Sequence, residues 1–365
     1  MRAHSVAVAL TVTALLGVAL AACGGRPASG GSKLAEGEQD VSFVADGTTT
    51  YGTLDVPAHR DGQRLAAALL LAGSGPTDRN GDDAAAGLEP QTLKLIAAAL
   101  ARDGIMTLRF DKYFSGRTGA GSHSDDPAAI TLTAFIRQAD AAYAYLKAQP
   151  DADPARMLVV GHSEGGMYAL LVAGSVSPRP AGLALIEPQD ERLLSLTQLQ
   201  TDEQLDAMVE QGDITSATAA SNAAALRAAI AAFRAGRHPS TGGLLPSVLK
   251  QVEPTLFSPA NATYVRGADA VDPPAVAGKL TRGTRVLVTD GTADANVPPS
   301  TIGPLVTALK AAGSTGPGLR LLPDIDHLLH PSGTPVNDAI LASPLTSALQ
   351  AWSRPYGLTG RGAGG

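Results

Sequence analysis

The chain has 365 residues, with 28 Lys and Arg against 34 Asp and Glu and a net charge of −6. Hydrophobic residues make up 44% and charged residues 17%, which excludes a disordered chain and suits one α/β domain that carries an insertion. The negative balance and the lack of a long Lys/Arg run argue against a nucleic-acid partner, because phosphate binding needs a clustered positive face.

The N-terminus is a targeting segment by its pattern. Arg2 is followed by an apolar run from Val6 to Ala22, and Leu20-Ala21-Ala22 precedes Cys23, the single cysteine. A charged start, an apolar stretch and small residues before a cleavage point define a secretory signal. The Leu-Ala-Ala-Cys string also resembles a bacterial lipobox, which implies cleavage before Cys23 and a diacylglycerol on its thiol. The alternatives are an ordinary secretory signal or an uncleaved anchor, and a spanning helix usually wants about 20 apolar residues. Residues 1–22 are therefore expected to be a signal peptide and 23–40 a lipid-anchored flexible tether, since Gly24–Ser32 is small, polar and aperiodic. This places the protein at the outer face of a bacterial cell membrane, held by Cys23. One cysteine allows no internal disulfide.

From residue 41 short apolar runs alternate with helical patterns. Val41–Val44 and Thr50–Val56 predict an opening antiparallel pair, and Leu65–Ala72 a strand buried on both faces. Then come helix Pro90–Arg102, strand Ile105–Phe110, helix Leu132–Lys147, strand Met157–Gly161, helix Gly165–Ala173 and strand Gly182–Ile186. Residues 189–280 break the alternation with Leu- and Ala-rich helical spacing, punctuated by Pro246, Pro254 and Pro259. They predict a helical cap between two strands, against the plainer reading of a surface insertion with no part in binding. Strand Arg285–Thr289, helix Thr301–Ala312, strand Leu319–Leu322 and a last helix near Pro335–Trp352 complete the pattern, with 356–365 a flexible tail. Such alternation predicts an α/β class: a mostly parallel sheet with helices on both faces, its core split into 41–188 and 281–355 by the cap.

Gly161-His-Ser163-Glu-Gly165 sits between a predicted strand and a predicted helix, the context of a nucleophile elbow. Ser163 is the candidate nucleophile. Gly161 and Gly165 lack the Cβ atoms that would collide across so sharp a turn. A serine hydroxyl needs a neutral imidazole to take its proton, and the imidazole needs a carboxylate to fix its tautomer. In the order Ser, acid, His, His327 after the last strand is the candidate base, with His330 as rival and His238 too far away in the cap. His162 reads as a packing residue. Asp294, in Gly291-Thr-Ala-Asp294, is the candidate acid, and Glu187 after the preceding strand is the alternative. Asp290 is expected to be a turn or hydrogen-bonding residue, and Asp324 and Asp326 solvated turn residues. The oxyanion donors are expected to be the backbone N–H groups of Glu164 and of Ser74, in the turn Ala72-Gly-Ser-Gly75. Asp78-Arg-Asn-Gly-Asp-Asp83 superficially suggests calcium, but the register and distal Glu of an EF-hand are missing, so no metal is expected there.

With these residues in place the chain resembles the α/β-hydrolase superfamily, in particular bacterial carboxylesterases related to serine aminopeptidases and dienelactone hydrolases. The resemblance runs from Val41 to the last helix. It is carried by Gly73-Ser-Gly-Pro-Thr-Asp-Arg-Asn-Gly81, Arg109-Phe-Asp-Lys112, Gly161–Gly166, Gly291–Asp294 with Val297-Pro298, and Asp326-His327. It implies a triad of Ser163, Asp294 and His327, a helical lid, and cofactor-free hydrolysis of small carboxylic esters. Relatives continue Asp-Lys with Arg-Gly, whereas this chain reads Asp111-Lys-Tyr-Phe-Ser-Gly-Arg117, so substrate preference does not carry over. The competing readings are a peptidase, thioesterase or lactonase using the same triad, and a ligand-binding surface lipoprotein on a retired hydrolase scaffold.

Overall fold

Leu65–Leu71 explains the architecture. All seven of its residues are buried, and their alternation sends Leu65, Ala67, Leu69 and Leu71 into one apolar cluster and Ala66, Ala68 and Leu70 into another. A strand apolar at every position can be satisfied only by cover on both faces of its sheet. The computed structural model describes residues 33–358.

The short strands β1 (Lys33–Leu34) and β4 (His59–Arg60) pair antiparallel. The main sheet is formed by β2 (Gly37–Ala45), β3 (Thr48–Val56), β5 (Leu65–Leu71), β6 (Met106–Phe110), β7 (Ala152–His162), β8 (Gly182–Ile186), β9 (Arg285–Gly291) and β10 (Thr315–Leu322). Their spatial order is β10-β9-β8-β7-β5-β6-β3-β2; β2, β3 and β6 pair antiparallel in sequence and the rest run parallel. Helices α1 (Thr92–Arg102) and α10 (Ser343–Ser353) cover one face, where Ile96, Leu100, Leu345 and Trp352 meet the sheet. On the other face lie α2 (Leu132–Lys147), α3 (Glu164–Ser175) and α9 (Gly303–Ala311), through Tyr143, Leu146, Leu170 and Leu305.

Between β8 and β9 the chain forms α4 (Leu193–Glu210), α5 (Ser216–Arg234), α6 (Pro246–Val252), α7 (Ala262–Ala270) and α8 (Pro273–Ala277). Leu194, Leu205, Leu226, Phe233, Val248 and Val265 give this insertion an apolar core of its own. Asp269 ties it together, accepting from Arg234 Nε at 2.8 Å, from the Leu194 N–H at 3.0 Å and from Arg192. Among the described residues no helix is long and apolar enough to cross a membrane.

Several boundaries differ from the sequence reading, with β7 and β10 beginning earlier, at Ala152 and Thr315. Residues 37–40, expected in the tether, belong to β2, because their backbone pairs in register with Val56–Thr53 even though their side chains are exposed. The last helix begins at Ser343 and not near Pro335, since Pro344 fits only the first turn of a helix. The start of the expected tail is packed: the Tyr356 hydroxyl donates to the Ala181 carbonyl at 2.9 Å, and Leu358 lies against Gly104. Cys23, the signal segment and residues 359–365 lie outside the described residues.

Candidate active site

Strand β7 passes into α3 through Ser163, whose backbone is held at φ 57° and ψ −125°. A non-glycine residue there is strained and persists only where its surroundings over-determine it. The surroundings are visible. A Cβ on Gly161 would lie 2.0 Å from the Gly165 carbonyl oxygen, and one on Gly165 would lie 2.2 Å from that of Leu71. The Ser163 N–H donates to Ile186 O at 3.0 Å, and its carbonyl accepts from Gly166 and Gln189 at 2.8 and 2.9 Å. The serine is thus fixed by main chain on both sides.

Ser163, His327 and Asp294 meet. His327 Nε2 lies 2.9 Å from Ser163 Oγ, and Nδ1 lies 2.7 Å from Asp294 Oδ2. With Nδ1–H donating to the carboxylate, the Nε2 lone pair faces the hydroxyl. Asp294 is 4% exposed, and its Oδ1 accepts from the N–H groups of Asn296 and Val297 at 2.7 and 2.9 Å. The His327 loop is a tight turn in which Asp326 Oδ1 accepts from Leu328 and His330 N–H, both at 3.0 Å. Asp326 is therefore a half-buried turn-former and not a solvated one. His330 is fully buried away from the hydroxyl, and His238 is exposed in the insertion, so neither rival is brought to Ser163.

Of the two roles expected for Asp290, the turn is not found: it lies in β9, fully buried, where its carboxyl shares a hydrogen bond with Glu187 at the end of β8. Oxygens of Glu187, Asp290 and Asp294 lie within 4.8 Å of one another. Burial raises the pKa of Glu187 well above the usual carboxylate range, and burial with the Asp294 charge raises that of Asp290. Asp294 already gives its oxygens to His327 and two amides, and Glu187 Oε2 accepts from Gly291 N–H. Raised pKa values of this kind mark carboxyl groups that repel one another in a buried setting. At the other end of the sheet edge, Asp78 Oδ1 accepts from Asn80 and Asp82 N–H at 2.7 and 3.1 Å, so that oxygen closes its own loop.

The expected oxyanion donors lie beside Ser163. Glu164 is the first residue of α3, where an N–H has no intrahelical acceptor. The turn after β5 brings Gly73 so close that a Cβ on it would lie 3.1 Å from Ser163 Cβ. Three features of this region escape the sequence reading. His162 Nε2–H donates to the His327 carbonyl at 2.9 Å, while burial and the neighbouring His327 push the His162 pKa down to about 3, so it stays neutral. The buried Glu164 carboxylate receives both the Tyr168 hydroxyl, at 3.1 Å, and the Tyr264 hydroxyl of α7. Lys112 is buried and donates to the Gly73 carbonyl. Adjacency of His162 to Ser163 was the only sequence signal for the first, and nothing local signals the second.

A cavity of about 680 Å³ opens over Ser163 and His327. Phe114, Ile130 and Phe135 form its core wall, and Leu196, Val252 and Tyr264 line it from the insertion.

No protein-family model matches the sequence, and no curated protein matches it. Solved structures do. Est1E from Butyrivibrio proteoclasticus with ferulic acid bound is 17% identical, with 87% of this chain and 98% of that one covered and a TM-score of 0.53. An esterase of Pyrococcus furiosus is 13% identical over 88% of this chain and 91% of its own, with a TM-score of 0.54. The α/β hydrolase GrgF from Penicillium is 16% identical over 80% and 91%, with a TM-score of 0.50. At these identities the shared property is the fold: the chain has the α/β-hydrolase fold, with an open, mostly parallel sheet.

Proposed function

We propose that this chain is a serine hydrolase that cleaves carboxylic esters through an acyl-enzyme on Ser163. The observation that carries the reading is the unbroken hydrogen-bonded line from Ser163 Oγ through His327 to the buried carboxylate of Asp294. His327 Nε2 takes the hydroxyl proton as Oγ attacks the ester carbonyl, and Asp294 stabilises the imidazolium. The N–H groups of Glu164 and Ser74 receive the developing oxyanion. Collapse breaks the bond to the alkoxy oxygen, which leaves with the proton from His327. Water then repeats the sequence: His327 takes its proton, hydroxide adds to the acyl carbon, and the acid departs as Oγ regains a proton.

The cavity walls favour a neutral, apolar acyl or alcohol group, since burying such a group stabilises binding by roughly 25 cal/mol per Å². The Glu164 carboxylate already receives two tyrosine hydroxyls, and so offers an amine little, which favours esters over peptides. The test is a panel of short p-nitrophenyl esters with matched amides. Wild type is expected to turn over esters and to be labelled by a fluorophosphonate, and Ser163→Ala to lose both activities while keeping its fold. Retained turnover in that variant would falsify the proposal, and amide turnover matching ester turnover would redirect it to peptides.

A further inference from the structure

Lys112 is a cation in an expensive place. It is 6% exposed, and among the described residues no carboxylate lies within ion-pair distance of it. Among the described residues its one hydrogen-bond acceptor is the Gly73 carbonyl. A buried ammonium without a counter-ion is costly, and its persistence calls for a reason.

The acceptor supplies that reason. The Gly73 carbonyl and the Ser74 N–H belong to one peptide unit, which is planar and trans, so the two groups point in opposite directions. An ammonium that holds the oxygen on one side aims the N–H to the other. It also draws electron density toward the oxygen, which makes the N–H a stronger donor. That peptide adjoins the nucleophile: a Cβ on Gly73 would lie 3.5 Å from Ser163 Oγ. Lys112, Ser74, Ser163, Glu164 and His327 line the same cavity.

The lysine is itself held. Asp111 forms a two-pronged pair with Arg79, at 3.1 Å from Nε and 2.9 Å from Nη2, and accepts from the N–H groups of Arg79 and Arg117 at 3.0 and 2.8 Å. The Tyr113 N–H donates to Gln138 at 3.0 Å, and the Lys112 carbonyl accepts from Ser115 Oγ at 2.9 Å. The loop after β5 and the loop after β6 are thereby locked to each other through Arg79 and Asp111.

We propose that Lys112 is a positioning residue for the oxyanion hole: its ammonium orients and polarises the Gly73–Ser74 peptide, so that the Ser74 N–H is aimed, as a strengthened donor, at the negative charge forming on the substrate oxygen. The inference rests on the reading of Ser163 as nucleophile and Ser74 as donor. The nearest charges facing the ammonium are Glu164 on α3 and Asp83 in the loop before α1, both favouring the cation, while burial dominates and lowers its pKa to about 8.

The test compares wild type, Lys112→Met and Lys112→Arg on a neutral p-nitrophenyl ester, with a trifluoromethyl ketone as an oxyanion-forming inhibitor. Lys112→Met is expected to lower kcat about 10- to 100-fold with KM within about threefold, less than or near the loss of a direct donor. Its affinity for the ketone should fall by a similar factor. In wild type kcat should decline above about pH 8 as the ammonium loses its proton, and Lys112→Arg should move that limb to higher pH while restoring part of kcat. A kcat within threefold of wild type in Lys112→Met overturns the proposal. So does a loss seen only in KM, or only for anionic esters, which would make Lys112 a substrate-binding group. Should Lys112→Met fail to fold, an alkaline limb unmoved in Lys112→Arg overturns it equally. Fluorophosphonate labelling of wild type separates the two levels: an unlabelled Ser163 removes the whole reading of the site, whereas a labelled enzyme indifferent to Lys112 removes this inference alone.

Discussion

The carboxyl edge of the sheet and the helical insertion above it are built by different means. At the edge, the proposed reacting groups are gripped by main chain: Ser163 by Ile186, Gly166 and Gln189, Asp294 by Asn296 and Val297, and the His327 turn by amides onto Asp326. Helices α4 to α7 have an apolar core of their own and reach the edge through side-chain tips, such as the Tyr264 hydroxyl on Glu164 and the Gln200 amide on the Asn296 carbonyl. Main-chain contacts survive most substitutions, whereas tips do not. On the proposed function, the difference leads us to expect that the edge governs kcat through geometry and the insertion governs KM through substrate fit.

The largest break should come from the edge. Asp294→Asn keeps the oxygen that accepts from the Asn296 and Val297 N–H groups but replaces Oδ2, the acceptor that orients the Nδ1–H tautomer of His327, and kcat is expected to fall by about 10³–10⁴ with KM little changed. Steady-state kinetics on one ester decides this, and a loss below tenfold would move the role of acid to Glu187. A smaller edge effect is expected for His162→Ala, which removes the N–H held on the His327 carbonyl and should lower kcat about tenfold. Because burial keeps the His162 ring neutral down to about pH 3, the acid limb of the pH–rate profile should survive in the variant. A profile in which that limb vanished would assign it to His162 instead. The smallest effect should come from the insertion. Tyr264→Phe removes one donor to Glu164, so KM should shift by about two- to fivefold with kcat within about twofold, and the midpoint of thermal unfolding should fall by the equivalent of about 1 kcal/mol. A tenfold drop in kcat there would erase the division between the two regions.

Much of the edge was legible in the chain. The Leu65–Leu71 run, the glycines flanking Ser163 and the order of Ser163, Asp294 and His327 depend on local sterics and chain order, which a sequence displays directly. The insertion was legible only as helical spacing. Its core contacts join Leu194 to Val265 and Arg234 to Asp269 over long separations, and no local pattern encodes such pairs.

By itself, then, the sequence determined the strand–helix alternation and the elbow, and narrowed the acid to Asp294 or Glu187 and the base to His327 or His330, because these follow from periodicity, from the lack of a Cβ and from the order of the groups along the chain; the choice within each pair was made by the fold. Only the tertiary structure decided that His162 supports the His327 loop, that Asp290 is buried against Glu187, and that Lys112 faces the Gly73 carbonyl. A residue type states what a side chain can donate or accept. Which partner it meets depends on where distant strands end, and that is settled when the sheet closes up around its core.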